Sequence, residues 1–340
     1  MKELTLVTGG CGFIGGHLVD TLCRREYPVR VLDLEAPARA RPGVDYHTGS
    51  VTDPAAVATA MDGVGRVFHL AARAGLWAAD PAEMFAVNQQ GTRCVLQAAE
   101  RAGVERIVYC STESILKSRR RDPASGVIDE TVQPPESEMC GAYCVTKLRA
   151  EQEALAAARR GLPVVVVNPS VPVGPGDVNL TPPSRMLLGF VNGRFPAYLD
   201  SVLNLVDARD VAEGHLLAAE RGRVGERYLL GHENIRLADL LALLEELTGL
   251  PMPRRRVPYW LAFSASAVQE WVAGHISHRR PAAPLTGVRL ARTPMCFDNR
   301  KARQELGLSF RPLRESLADA LDDFAARGLL QRQPRRPAGG

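Results

Sequence analysis

Tyr143 and Lys147 stand four residues apart, within AYCVTKLRAEQEALAAA. From Ala142 to Ala158 the residues are strong helix formers with no proline or glycine. The spacing therefore predicts a helix carrying both side chains on one face. A free phenol has a pKa of about 10 and is a poor base near neutrality. An ammonium one turn away, with a cationic ring nearby, favours the phenolate, and the pair can then exchange a proton with a substrate C–O group. Lysine occurs only at Lys2, Lys117, Lys147 and Lys301, against seven tyrosines. Chance alone would supply a Tyr-x-x-x-Lys about 0.08 times in such a chain. The plainer alternative is a surface helix whose lysine stem lies along a tyrosine ring.

The second stretch is LTLVTGGCGFIGG, Leu4 to Gly16. Leu4, Leu6 and Val7 suit one buried strand. Gly9, Gly10, Gly12 and Gly15 crowd the turn, and Phe13, Ile14, Leu18, Val19 and Leu22 follow at helical spacing. A strand, a glycine turn and a helix together aim free N–H groups and the positive helix end at one point, which suits a phosphate. Gly9 and Gly12 let the backbone approach a pyrophosphate, and Gly15 lets helix and strand pack closely. The spacing is G-x-x-G-x-x-G; the alternative is a tight turn with no ligand. Asp33 ends the next strand, VRVLDL (29–34), where a carboxylate accepts from both ribose hydroxyls of NAD and repels the 2′-phosphate of NADP. Leu34 follows; Arg39 and Arg41 lie near enough to rescue NADP, so NAD is expected over NADP.

The elements that must position these groups alternate. Residues 44–50 lead to a helix starting at Asp53-Pro54. Residues 67–72 (VFHLAA) read as a strand ending in small residues, and 84–102 as a long helix. Residues 105–110 (ERIVYC) read as a strand closing on Ser111 and Thr112, and 162–168 (LPVVVVN) as a central strand. Alternation at this spacing predicts an α/β fold with a doubly wound parallel sheet of Rossmann type. Right-handed crossovers then bring Gly9, Asp33, Ala71 and Thr112 to one rim.

The bulk numbers agree. A chain of 340 residues with net charge +4 gives no sign of a nucleic-acid partner. Seven scattered cysteines suit a reducing cytoplasm, and Cys140 and Cys144 lack partners for a metal site, so no metal is expected. The chain opens on a strand and no apolar run is long enough to span a bilayer, so neither leader nor span is expected. The basic run Lys117–Arg121 reads as a solvated loop.

TGGCGFIG, Asp33, HLAA (69–72), Asn88, Ser111-Thr112, Tyr143-x-x-x-Lys147 and NPSVPVGPGD (168–177) together resemble the extended short-chain dehydrogenase/reductase family, to about residue 325. The resemblance is strongest to the branch of dihydroflavonol reductases, 3β-hydroxysteroid dehydrogenases and hopanoid-associated sugar epimerases. It implies a catalytic set of Thr112, Tyr143 and Lys147. Tyr143 is then the acid/base, Lys147 holds the ribose and lowers the phenol's pKa, and Thr112 orients the reacting oxygen. It implies cofactor contacts from Gly9, Gly12, Phe13, Ile14, Gly15, Asp33, Ser50, Val51, Leu70, Ala71, Ala72, Asn88, Cys110, Pro169 and Val171 besides Tyr143 and Lys147. Asn88 then supports the helix beneath the site, and a homodimer forms through helices 84–102 and 142–158.

Four positions depart from family patterns. Thr112 replaces the usual serine. Ser50 stands where many members have an aspartate for the adenine amino group. Asn204-Leu205-Val206 stands where nucleotide-sugar epimerases often carry an arginine. Asp33 departs from the branch's NADPH-using reductases. The expected activity is hydride transfer between NAD and a secondary alcohol or ketone. The alternatives are a sugar epimerase and a non-catalytic NAD-binding sensor, whose usual sign is loss of the Tyr or Lys.

In the second half, prolines and glycines over 169–183 predict an irregular loop, and residues 184–195 a helix. Residues 203–231 are expected to return to the nucleotide-binding part (1–172), leaving 173–202 and 232–330 as a smaller, mainly helical substrate-binding part. PYWLAFSASAVQEWVA (258–273) is expected as a buried or lid helix; membrane contact is the lesser reading because its polar face lacks Lys and Arg. Residues 289–295 are expected as a connector and 331–340 as a disordered tail.

Overall fold

The computed structural model describes residues 2–37, 40–77, 80–117, 126–277, 281, 284–293 and 296–332. The chain opens β1 (Leu4–Thr8), α1 (Phe13–Arg24), β2 (Val29–Asp33) and β3 (Val44–Thr48). It continues through α2 (Pro54–Met61), whose Asp53 cap accepts from Ala55 N–H, and β4 (Val64–His69). The expected helix over 84–102 is two helices, α3 (Pro81–Phe85) and α4 (Thr92–Ala102), joined by a π-helical turn at Ala86–Gly91. Then come β5 (Arg106–Cys110), α5 (Ala142–Arg159), β6 (Val164–Pro169), β7 (Val171–Val173), α6 (Pro182–Val191), β8 (Tyr198–Leu199) and β9 (Val202–Asp207). The chain ends with α7 (Ala208–Arg221), β10 (Arg227–Leu230), β11 (Glu233–Arg236), α8 (Leu237–Thr248), β12 (Arg256–Val257), α9 (Tyr259–Val272), α10 (Leu285–Arg292) and α11 (Leu313–Ala326).

Seven strands form one parallel sheet in the order β10-β6-β5-β4-β1-β2-β3. Period two in the strands divides the core. Val7, Val165 and Val167 pack with Leu18, Leu22, Val211 and Leu216 of α1 and α7. Leu6, Val164 and Val166 pack with Val57, Val95 and Ala150 of α2, α4 and α5. This is the doubly wound fold that the alternation predicts. Strand order reverses between β1 and β4, so the crevice of a switch point opens beyond their carboxyl ends.

The second half differs from expectation in four places. Residues 203–206 do not rejoin the large sheet: β9 is the middle of a small sheet, β11-β9-β7, and only α7 and β10 return. The expected irregular loop holds β7, whose Pro172 is tolerated because β7 is an edge strand. Residues 289–292 belong to α10, which begins after Pro284, a good helix starter. Among α9 residues only Ser266 is buried, so the buried-helix expectation fails; its apolar side chains form an outer face rather than a core face. Lys117 is also no solvated loop residue, being 2% exposed; residues 118–121 of that run, Arg39 and residues 333–340 of the tail lie outside the described residues.

The β1–α1 turn has no space to spare. A Cβ on Gly15 would lie 2.0 Å from the Gly9 carbonyl oxygen, backbone that cannot move aside. Gly15→Ala is expected to destabilise the fold by about 1–3 kcal/mol or more, and to weaken nucleotide binding, checked by thermal unfolding and nucleotide titration.

Candidate active site

The turn after β1 is a cradle for a flat, anionic ligand. Gly9 has φ +73°, and a Cβ there would stand 2.7 Å from the Ala71 amide, so β1 and β4 meet backbone to backbone at Leu70 and Ala71. Leu70 N–H bonds the Thr8 carbonyl at 3.0 Å. Gly12 caps α1 without a side-chain bond, and no acidic residue sits in the first turn. The first N–H groups of α1 and its positive end are thus left for an anion. Asp33 is held open-handed: one oxygen accepts from Cys11 N–H at 2.9 Å, the other from Leu34 N–H at 2.8 Å. Each oxygen keeps a lone pair for a ribose hydroxyl. These features fit a dinucleotide.

Arg41, which the sequence offers to a 2′-phosphate, is committed elsewhere. Its guanidinium pairs with Asp20, Nη2 to Oδ2 at 2.9 Å, and donates to the Gly16 carbonyl at 3.2 Å. Ser50 is exchanging bonds with Thr52, its Oγ 2.7 Å from Thr52 Oγ1. Ile14, Ala72 and Val171 are half-buried on the rim, and Pro169 closes β6. Phe13, Val51 and Asn88 are buried, as are Thr112 and Lys147. Asn88 braces the site: its Oδ1 accepts from Arg73 N–H at 2.7 Å and its Nδ2 donates to Thr146 Oγ1 at 3.0 Å. Thr146 Oγ1 in turn donates to the Tyr143 carbonyl.

α5 brings the reactive pair to this rim. Lys147 is buried, donates to the Cys110 carbonyl at 2.7 Å and lies 4.6 Å from the centre of the Tyr109 ring. Burial pushes its ammonium down to about 8, against the pull of Cys110 and Glu151. Tyr143 differs from the sequence reading. Its phenol is pushed above the usual value, first by desolvation and then by the Glu113 carboxylate, while the Thr112 hydroxyl opposes them.

Residues that sequence reasoning missed surround Thr112. Its hydroxyl donates to Glu113 Oε2 at 2.8 Å, and it caps a short 3-10 turn by accepting from Ser114 N–H at 3.2 Å. Glu113 Oε1 pairs with Lys117 Nζ at 3.2 Å, both side chains nearly sealed from water. Behind them Asn168 donates to the Thr112 carbonyl at 3.2 Å and to Glu151 Oε2 at 2.8 Å. Glu151 also pairs with Arg227 at 2.7 Å. The Glu113–Lys117 spacing of four was visible in the sequence, but at that spacing an ion pair ordinarily marks an exposed helix face.

A phenol, a buried ammonium and a turn shaped for a dinucleotide share one rim of a Rossmann-class fold. Residues 5–231 match the NAD dependent epimerase/dehydratase family, and the chain belongs to that family, whose cofactor is NAD. It is 40% identical to a putative dihydroflavonol 4-reductase of Synechocystis sp., over 98% of both chains. It is 34% identical to sterol demethylase protein B of Methylococcus capsulatus, over 96% of this chain and 99% of that one. Among solved structures, gox2253 superposes with a TM-score of 0.83 at 38% identity, over 97% of this chain and all of that one. The chain is an NAD(P)-dependent oxidoreductase of the extended short-chain type.

Glu113→Gln removes a negative charge facing Tyr143. The phenol should then ionise at lower pH, so the acid limb of the pH–rate profile for alcohol oxidation should move toward lower pH. An unmoved limb would show that Glu113 does not act on Tyr143.

Proposed function

We propose that the protein interconverts a secondary alcohol and its ketone on an apolar skeleton, using NAD in preference to NADP. The observation that carries this reading is the wall around Tyr143. Leu76, Val145, Val171 and Leu203 pack with Tyr143 against the buried cluster of Ile115, Leu116, Cys144, Leu290 and Phe297. Such a wall favours an apolar substrate and gives a hydroxylated sugar few partners. Asn204, which stands where an arginine would meet a diphosphate, is buried and bonded to Asn234 at 2.8 Å and to His232 N–H at 3.0 Å.

Bound at the cradle, the nicotinamide supplies the two-electron hydride acceptor or donor. Tyr143 supplies the proton to the carbonyl oxygen in reduction and takes it from the alcohol in oxidation. Thr112 must turn its one proton from Glu113 to the substrate oxygen to hold it, and the carboxylate returns the hydroxyl to its resting direction afterwards. Lys147 carries its charge at pH 7, close to where the ribose would lie. The preference for NAD follows from Asp33, with both oxygens aimed by backbone N–H groups, and from the commitment of Arg41 to Asp20. We assign residues 1–172 with α7 and β10 to nucleotide binding, and the small sheets with α6, α8, α9, α10 and α11 to the substrate. A homodimer through α4 and α5 is part of the same reading and rests on the family resemblance. The seven free cysteines suit a reducing compartment.

Tyr143→Phe is expected to abolish turnover while NAD binding stays nearly intact, read by kinetics and calorimetry; unchanged turnover would end the reading. In wild type, alcohols should produce net absorbance at the reduced-nicotinamide band. Turnover without it, and with the cofactor retained, would mark an epimerase instead. Light scattering at micromolar concentration should show a dimer; a monomer refutes the α4–α5 interface.

A further inference from the structure

Five large apolar side chains stand in water within seventeen residues. Trp260 is 68% exposed, Leu261 46%, Val268 63%, Trp271 57% and Ile276 64%. Around α9 the exposed positions 260, 261, 264, 265, 268, 269 and 271 fall on one continuous arc, and not one carries a charge. The other exposed large hydrophobics, Leu34, Val127, Val178 and Val224, are scattered singly. A contiguous apolar face of this kind marks an interaction surface.

The surroundings of the face select its partner. Arg254, Arg255 and Arg256 are exposed just before α9, and Arg292 is exposed on α10 beside it. Arg254 meets Glu245 at 3.2 Å and Arg256 meets Asp200 at 3.1 Å, whereas Arg255, Arg289 and Arg292 pair with no described acid. Arg289 and Arg292 lie over the rings of Phe263 and Tyr259, on the inner side of α9. Tryptophans on an uncharged face, with the exposed Arg254, Arg255 and Arg256 at its leading end, match a lipid–water boundary of negative charge. A second copy of the same face would bring two such arginine clusters together.

The face also stands beside the cleft. Thr286 of α10 lies so close to Gly141, two residues before Tyr143, that a Cβ there would be 2.6 Å from its hydroxyl. Glu270 of α9 accepts from Leu285 N–H of α10 at 2.8 Å, and Leu290 belongs to the apolar wall of the site. α9 is thus joined through α10 to the segment that carries Tyr143. Among the described residues no helix is long and apolar enough to cross a membrane.

We propose that α9 docks the protein on an anionic lipid surface, lying in the interface with the mouth of the active site toward the lipid. The test is sedimentation of the full chain with vesicles of phosphatidylcholine carrying about one third phosphatidylglycerol. The wild type should pellet with these vesicles, bind pure phosphatidylcholine more weakly, and lose affinity as salt rises toward about 0.5 M. Brominated lipid should quench its tryptophan fluorescence. The double variant Trp260→Ser/Trp271→Ser, both sites being exposed, should keep its thermal unfolding temperature and bind about tenfold more weakly or worse. Val224→Ser, an exposed apolar site elsewhere, should bind like wild type. The proposal is overturned if wild type stays in the supernatant with anionic vesicles, or if Val224→Ser loses as much binding as the double variant. It is equally overturned if the double variant lowers the assembly state seen by light scattering, since a second copy then covers the face. None of these readouts depends on turnover, so they stand apart from the proposed chemistry.

Discussion

The close approach of two backbones at the centre of the large sheet governs the rest of the molecule. Gly9 brings the end of β1 against Leu70 and Ala71 after β4, and Gly15 brings the start of α1 against the Gly9 carbonyl. A side chain at either position would force strand and helix apart. Their contact leaves a crevice whose floor is bare backbone and whose wall is an uncapped helix end. Asp33 on β2 and Lys147 on α5 are placed relative to that crevice by the parallel sheet.

The reactive rim shows how one buried charge can set another. Lys147 is stripped of water and turned to the Cys110 carbonyl, and its pKa falls to about 8. Tyr143 is raised by desolvation and by Glu113, so the resting state is a neutral phenol beside a hydroxyl that points its proton at a carboxylate. Burying Glu113 and Lys117 together costs less than burying either alone, and the pair fixes the turn from which Thr112 projects. The ion pair of Glu151 with Arg227 and the bonds of Asn168 hold the same turn from behind. The site therefore rests on polar groups bonded within the fold, and Tyr143 packs against an apolar cluster.

The two sides of the cleft follow different rules. The nucleotide side is built of strands buried on both faces, which tolerate little change in volume. The other side is assembled from short strands and helices around a separate core of Val173, Leu187, Leu240, Leu317 and Phe324. It ends in α9 and α10, which pack on each other more than on the body of the fold.

Some of this protein was decided locally and could be read along the chain. The strand–glycine–helix order, the continuous Val164–Val167 run, the cap at Asp53-Pro54 and the Tyr143–Lys147 face are short-range matters of steric freedom, hydrophobic period and helical pitch. The doubly wound sheet follows from them because strand and helix alternate at fixed spacing. Tertiary structure decided the rest, where the outcome depends on which distant segment packs against which partner. β9 has a strand's composition, but β10 occupies the sheet edge beside β6, so β9 pairs with β7 and β11. Lys117 reads as solvent-facing within its basic run and is buried because Glu113 lies beside it under Phe297. α9 has a core helix's composition and stays exposed because no element among the described residues covers its outer arc. Composition fixes how apolar a face is; only the packing of remote elements determines whether anything in the same chain meets it.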